Sequence, residues 1–185
     1  MDKTYRYKAK RFKLKTEHGR YIILGSIDGI LAILGVVIGT SHVSSDPAIV
    51  MNAALGGAVA LALTNGVGSY LAESAVEYGK LAELEKPLLR SLNRTILERN
   101  TKKKIWSDSL FHGGASFFGS LVPILPFILL DEHMLEAAIV CSISVLSILG
   151  LYSGKLAKQS MIKHSVRMVG LGIMIVAAVT MLGLE

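Results

Sequence analysis

The chain has 185 residues, 51% of them hydrophobic, with a mean hydropathy of +0.50 and a formal net charge of +6. A soluble domain of this length does not carry so much apolar surface, so a water-soluble globule is excluded. Nucleic-acid binding is set aside as well, because no aromatic platform or groove-reading motif accompanies the charge.

Residues 1–20 form a basic N-terminal segment. Its stretch 3–15 (KTYRYKAKRFKLK) mixes cations with Tyr5, Tyr7, Phe12 and Leu14. It either lies against anionic lipid headgroups or serves as a disordered topogenic tail. Residues 21–185 are expected to fold as a single all-α domain of five transmembrane helices, over 21–40, 49–71, 107–130, 134–154 and 166–184. Each run reaches the roughly 20 residues that cross about 30 Å of hydrocarbon. Eight of the Lys and Arg residues precede the first run, eight fall from Lys80 to Lys104, and four from Lys155 to Arg167. They occupy alternate connections only. This positive-inside pattern predicts a cytoplasmic N-terminus and an outside C-terminus. The first run is longer than a signal-peptide core, and no small-residue cleavage site follows it.

Span one carries two GxxxG spacings, Gly25 with Gly29 and Gly35 with Gly39. Small residues let helix backbones approach in lipid. Span two adds Gly56, Gly57, Gly66 and Gly68. Spans one and two are therefore expected to be central and tightly packed. Asp28 lies inside span one, about two turns from the basic end. A carboxylate at that depth is costly unless it is paired, protonated or hydrated, and no Lys or Arg shares its depth. It is either a protonated interhelical hydrogen-bonding group or a residue facing water or a cation.

Asn65 in span two lies at a matching depth. At the start of span three, Asp108 and His112 stand at i, i+4 and so share a helix face. Carboxylate, amide and imidazole around one cavity suit a first-row divalent metal. Asp108 has an alternative as an interfacial N-terminal residue favoured by the helix dipole. His112 has one as a hydrogen-bonded interhelical residue.

The connection 72–106 is the only sizeable extramembrane element expected. Its first part continues span two as a helix, with Glu73 and Glu77 at the cytoplasmic entrance, where they would attract cations. Glu83, Glu85 and Glu98 read better as solvated partners of Lys and Arg. Pro87 fits the first turn of a further short helix carrying Leu88, Leu92 and Ile96, with Asn100 as its C-terminal cap. Trp106 reads as an interfacial anchor. The outer turns are marked by Asp46-Pro47 and by Asp131, Glu132 and His133. Pro123 and Pro126 interrupt span three near its outer end. They would kink it or free carbonyls at Gly119 and Val122. Cys141, the single cysteine, permits no intrachain disulfide.

At these residues the chain resembles the vacuolar iron transporter family. The resemblance rests on GSIDGILAILGVVIG in span one, TNGVGSYLAES at the end of span two, and ASFFGSLVPILPF in span three. It implies a homodimer of five-helix subunits that exports Fe²⁺, and often Mn²⁺, from the cytoplasm in exchange for protons. It implies that Asp28 is the family's intramembrane carboxylate and that no cofactor is permanently bound. The membrane would be the cell membrane of a prokaryote or a vacuolar-type membrane of a eukaryote. Two such copies are expected to meet through the glycine-rich faces of span one.

Three features depart from the family pattern. Asn65 stands where the family usually has Met, and Ser69 where it usually has Glu. The cytoplasmic connection is short and has no Met or His. These departures leave open a second reading, a membrane scaffold or regulator that has lost transport. An enzyme is not expected, since no nucleophile–base pair, phosphate loop or cysteine–histidine cluster is present.

Overall fold

The computed structural model describes the backbone of residues 3–183 and the side chains of 19–183. The expectation that the side chains of 3–15 lie on headgroups falls outside the described side chains. Among the described residues there are five helices and no strand: α1 (Lys3–Val43), α2 (Pro47–Leu88), α3 (Ile96–Leu129), α4 (Met134–Leu156) and α5 (Met161–Leu182). All five are long and apolar enough to cross a membrane. The chain is a multi-pass, all-helical membrane protein.

The helix ends follow local chemistry. Asp46 caps α2, its Oδ1 accepting from the Ala48 amide at 2.8 Å, and Pro47 supplies the first helical residue, where a missing N–H costs nothing. Thr95 caps α3 and Glu98 reaches back to the Arg94 amide at 2.6 Å, which satisfies two otherwise orphaned donors. The turn 131–133 closes on His133 at φ 55°, before α4 begins.

The expected short helix from Pro87 is not formed. Helix α2 runs through Pro87 and stops at Leu88, where Leu89 turns left-handed at φ 46°. Residues 90–95 are a turn held by Glu85, whose Oε1 accepts from the Leu92 amide at 2.6 Å. Ile96 and Asn100 instead belong to the first turns of α3, so Asn100 caps nothing. The capping pair Thr95 and Glu98 sets that start and outcompetes the proline signal.

The central pair of helices is α1 and α3, not α1 and α2 as expected. Helix α3 buries Asp108, His112, Gly113, Ser116, Gly119, Ser120, Pro123 and Ile124 along one face. Most of α2 is exposed, and only Val50, Ala54, Ala58 and Leu81 are buried. Close approach explains the difference. A Cβ on Gly25 would stand 2.4 Å from the His112 carbonyl oxygen, and one on Gly29 would stand 2.1 Å from that of Ser116. Only glycine permits those crossings. Gly35 and Gly39 lie in ordinary contact with Val179 and Ile175 of α5. All four span-one glycines thus face other helices of the same chain. Gly25 and Gly29 are taken up by the α1–α3 crossing, and Gly35 and Gly39 by α5. In α2, Gly66 backs onto Gly113, whereas Gly56 and Gly68 have open space beside them.

In the half away from the basic connections, Ile33 and Val37 of α1 pack with Val50, Ala54 and Ala58 of α2, Ile124 of α3 and Ala138 of α4. This apolar plug separates the polar side chains at the basic end from the far side. Pro123 and Pro126 lie buried within α3, whose helix continues to Leu129.

Candidate functional site

Packing α1 tightly onto α3 sets Asp28 beside the groove between α2 and α3. The Asn65 amide spans that groove. Its Nδ2 donates to Asp28 Oδ2 at 3.2 Å and lies 2.8 Å from Ser116 Oγ. Ser116 Oγ in turn donates to the His112 carbonyl at 3.0 Å. Imidazole Nδ1 of His112 is hydrogen-bonded to Ser69 Oγ. Nε2 of His112 is buried with no hydrogen-bond partner. The Asp28 side chain is exposed on the surface of the single chain, and none of the ion pairs of the described residues involves it.

The line continues toward the basic end. The His112 ring stacks obliquely on Tyr21, with centroids 5.9 Å apart. Tyr21 donates its hydroxyl hydrogen to Glu73 and accepts from Arg20 at 3.0 Å. Arg20 also lies 3.9 Å from the Glu73 carboxylate. A cavity of about 820 Å³ opens here, lined by Arg20, Tyr21, Glu73 and Lys80. Its walls reach Leu24 and Ile27, within one turn of Asp28.

Asp108 occupies a separate cluster. It is fully buried and lies 3.8 Å from Lys104 Nζ, which also donates to Glu77 at 3.1 Å. Glu77 accepts from Lys80 at 2.7 Å as well. The Lys80 hydrogen bond, reinforced by Lys104 and opposed by burial, holds the Glu77 carboxyl below the usual carboxylate range. The structure therefore brings Asp28, Asn65 and His112 onto one polar line. Asp108 lies one turn nearer the basic end, in a cluster with Lys104 and Glu77. Glu73 and Glu77, expected at an entrance, are both engaged by cationic side chains. Among the described residues no three His, Cys, Asp or Glu side chains group to hold a metal ion.

Three participants went unread in the sequence as members of this line. Ser116 follows His112 by one turn, so a search for small hydroxyls on the His112 face would have found it. Ser69 was visible only as a departure from a family pattern. Tyr21 reads from sequence as the first residue of an apolar run, and nothing local reveals that it bridges to Glu73, 52 residues away.

These features define the class: a multi-pass helical membrane protein with a line of polar side chains that runs toward the basic end. Comparison then supplies the family. The VIT family profile matches residues 80–184. An uncharacterized protein of Methanocaldococcus jannaschii is 37% identical over 154 residues, covering 81% of this chain and 80% of its own length. The chain belongs to the VIT family, the family of membrane transporters that its spans resemble.

Proposed function

We propose that the protein exports a divalent transition metal, Fe²⁺ or Mn²⁺, from the cytoplasm in exchange for protons, with the basic end facing the cytoplasm. The observation that carries this reading is the Asp28–Asn65 pair. A carboxylate inside a membrane helix is bridged by a neutral amide, with no ion pair among the described residues to neutralise it. A neutral partner leaves the carboxylate free to exchange a proton for a cation.

In this reading the cation collects in the cavity beside Glu73 and passes Tyr21. It then sheds water to Asp28, with Asn65, Ser69 and His112 as further donors. Oxygen-rich donors without a thioether admit Mn²⁺ alongside Fe²⁺, because the soft ligand that would favour Fe²⁺ is missing. Moving two charges outward against 100 mV costs roughly 4.6 kcal/mol, part of which an inward proton returns. Among the described residues one chain offers a single carboxylate at the depth of Asn65, so a homodimer is the natural assembly. Asp28 is exposed on the chain's surface, and two copies meeting there would contribute two carboxylates to one path. The membrane is a cell membrane or a vacuolar-type membrane.

The test is flux into liposomes loaded with a metal-sensitive dye, with Fe²⁺, Mn²⁺, Co²⁺ and Zn²⁺ offered in turn, with and without a proton gradient. Metal-selective flux that needs the gradient and disappears in Asp28→Asn is the expected result. No flux for any metal from folded protein would replace this reading with a scaffold or regulator that retains the family fold.

A further inference from the structure

A second cavity, of about 490 Å³, lies on the opposite side of the α2–α3 contact from Asp28 and plays no part in the polar line. Its floor is glycine: Gly66 and Gly113 meet there, and a Cβ on Gly113 would stand 2.7 Å from the Ala62 carbonyl oxygen. Gly114 beside them faces open space. Tyr70 and Trp106, with ring centroids 5.2 Å apart, stand at the end near the basic connections, and Phe118 closes the other end. The one hydroxyl in the floor, Ser109 Oγ, is already spent on the Ile105 carbonyl at 2.8 Å. The groove thus offers an apolar floor, with Tyr70 and Trp106, which carry a hydroxyl and an indole N–H, at the end near the basic connections.

Its length suits one leaflet. Twelve residues of α3 separate Trp106 from Phe118, about 18 Å at the helical rise, against roughly 15 Å for half a hydrocarbon core. Its mouth is charged. Lys102 and Lys103 precede Trp106 by four and three residues, which places both on the Trp106 side of α3. Both are exposed and form no ion pair among the described residues. The neighbouring Lys104, by contrast, is held by Glu77 and Asp108.

We propose that this groove binds an anionic diacyl phospholipid from the leaflet at the basic end. Its phosphate lies over Lys102 and Lys103, its glycerol region rests beside Trp106 and Tyr70, and one acyl chain lies along the glycine floor. Charge selects lipid over a second copy of the chain. A two-fold axis along the membrane normal would bring Lys102 and Lys103 of both copies to the same end, and like charges would meet where a phosphate would neutralise them. Because the floor is the Gly66–Gly113 contact, the bound acyl chain clamps α2 against α3 one residue from Asn65 and from His112.

Trp106 is the chain's single tryptophan and makes the test direct. The full-length protein is placed in bilayers doped with phosphatidylglycerol or phosphatidylcholine brominated on the acyl chain, and Trp106 quenching is measured against mole fraction. Brominated phosphatidylglycerol is expected to quench at roughly thirtyfold lower mole fraction, the preference two lysines near an anionic headgroup supply. The double variant K102Q/K103Q should lose that preference and keep quenching by both lipids. Gly114→Leu, which enters open space and so leaves the fold intact, should weaken quenching by both. Equal quenching by the two lipids in the wild type would reduce the groove to ordinary lipid contact and overturn the proposal. Protection of Trp106 from both lipids would overturn it in favour of a second copy covering the groove. None of these readings depends on metal flux, so the outcome stands apart from the transport test.

Discussion

Asn65 Nδ2 reaches Asp28 Oδ2 at 3.2 Å and joins two helices through residues 37 apart in the chain. The same nitrogen lies 2.8 Å from Ser116 Oγ, so one amide ties three helices together at the depth of the intramembrane carboxylate. Hydrogen bonds to a charged group contribute about 1.5–3 kcal/mol. Asn65→Leu is therefore expected to lower metal flux at sub-saturating metal by on the order of tenfold, through loss of the group that orients Asp28. Asp28→Asn should abolish flux altogether while elution volume and helix content stay as in the wild type. Equal flux from either variant would remove this pair from the transport path.

The α1–α3 crossing depends on glycine at position 29. A methyl group there would meet the Ser116 carbonyl oxygen at 2.1 Å, a backbone atom that no side-chain rotation can move aside. Gly29→Ala should destabilise the folded protein by about 1–3 kcal/mol, the usual cost of overpacking. Gly68→Ala, with nothing within 4 Å, should leave fold stability unchanged. Thermal unfolding of both variants in the same detergent compares them, and equal midpoints would contradict the close crossing.

Ser69 is hydrogen-bonded to the imidazole that lies on the polar line. Ser69→Glu would set a carboxylate at the same helix position and add a charged oxygen donor beside His112. Affinity for divalent cations rises with the number of charged ligands, so Mn²⁺ binding should tighten by on the order of tenfold. Isothermal titration of Mn²⁺ into wild type and variant reads this. Unchanged binding would mean that position 69 lies off the path.

Glu77 gives a pH signature. Its carboxyl is held below its ordinary value of 4.5, chiefly by Lys80, with Lys104 adding to the effect. A depressed folded-state value stabilises the fold above pH 4.5, and that contribution fades as pH falls through the lower folded value. Glu77→Gln should cost on the order of 1–2 kcal/mol near neutral pH. The gap between variant and wild type should close only below about pH 4.5, as followed by unfolding midpoints across pH. A gap that persists at pH 3 would assign the loss to packing rather than to charge.

Span count, span positions and the sorting of basic residues into alternate connections follow from sequence alone, because crossing a bilayer demands long apolar runs and local charge sets their polarity. Asp28 stood out for the same reason: in lipid, a lone carboxylate is conspicuous wherever it occurs. The start of α3 was misread because Pro87 and the Thr95–Glu98 pair both signal a helix start, and only the folded turn through Glu85 decides between them.

Tertiary structure alone decided which glycines mattered. Gly29 and Gly68 look alike in sequence, yet one lies against a backbone carbonyl and the other against open space, since helix rotation about its axis is set by packing partners far along the chain. It also separated Asp108 from His112. Their spacing puts them on one face, but Lys104 draws Asp108 into a cluster with Glu77 while Ser69 and Tyr21 draw His112 into the line that leads to Asp28. Periodicity fixes the side of a helix a residue occupies. What waits across the gap depends on the neighbouring helices, and those arrive only when the bundle closes.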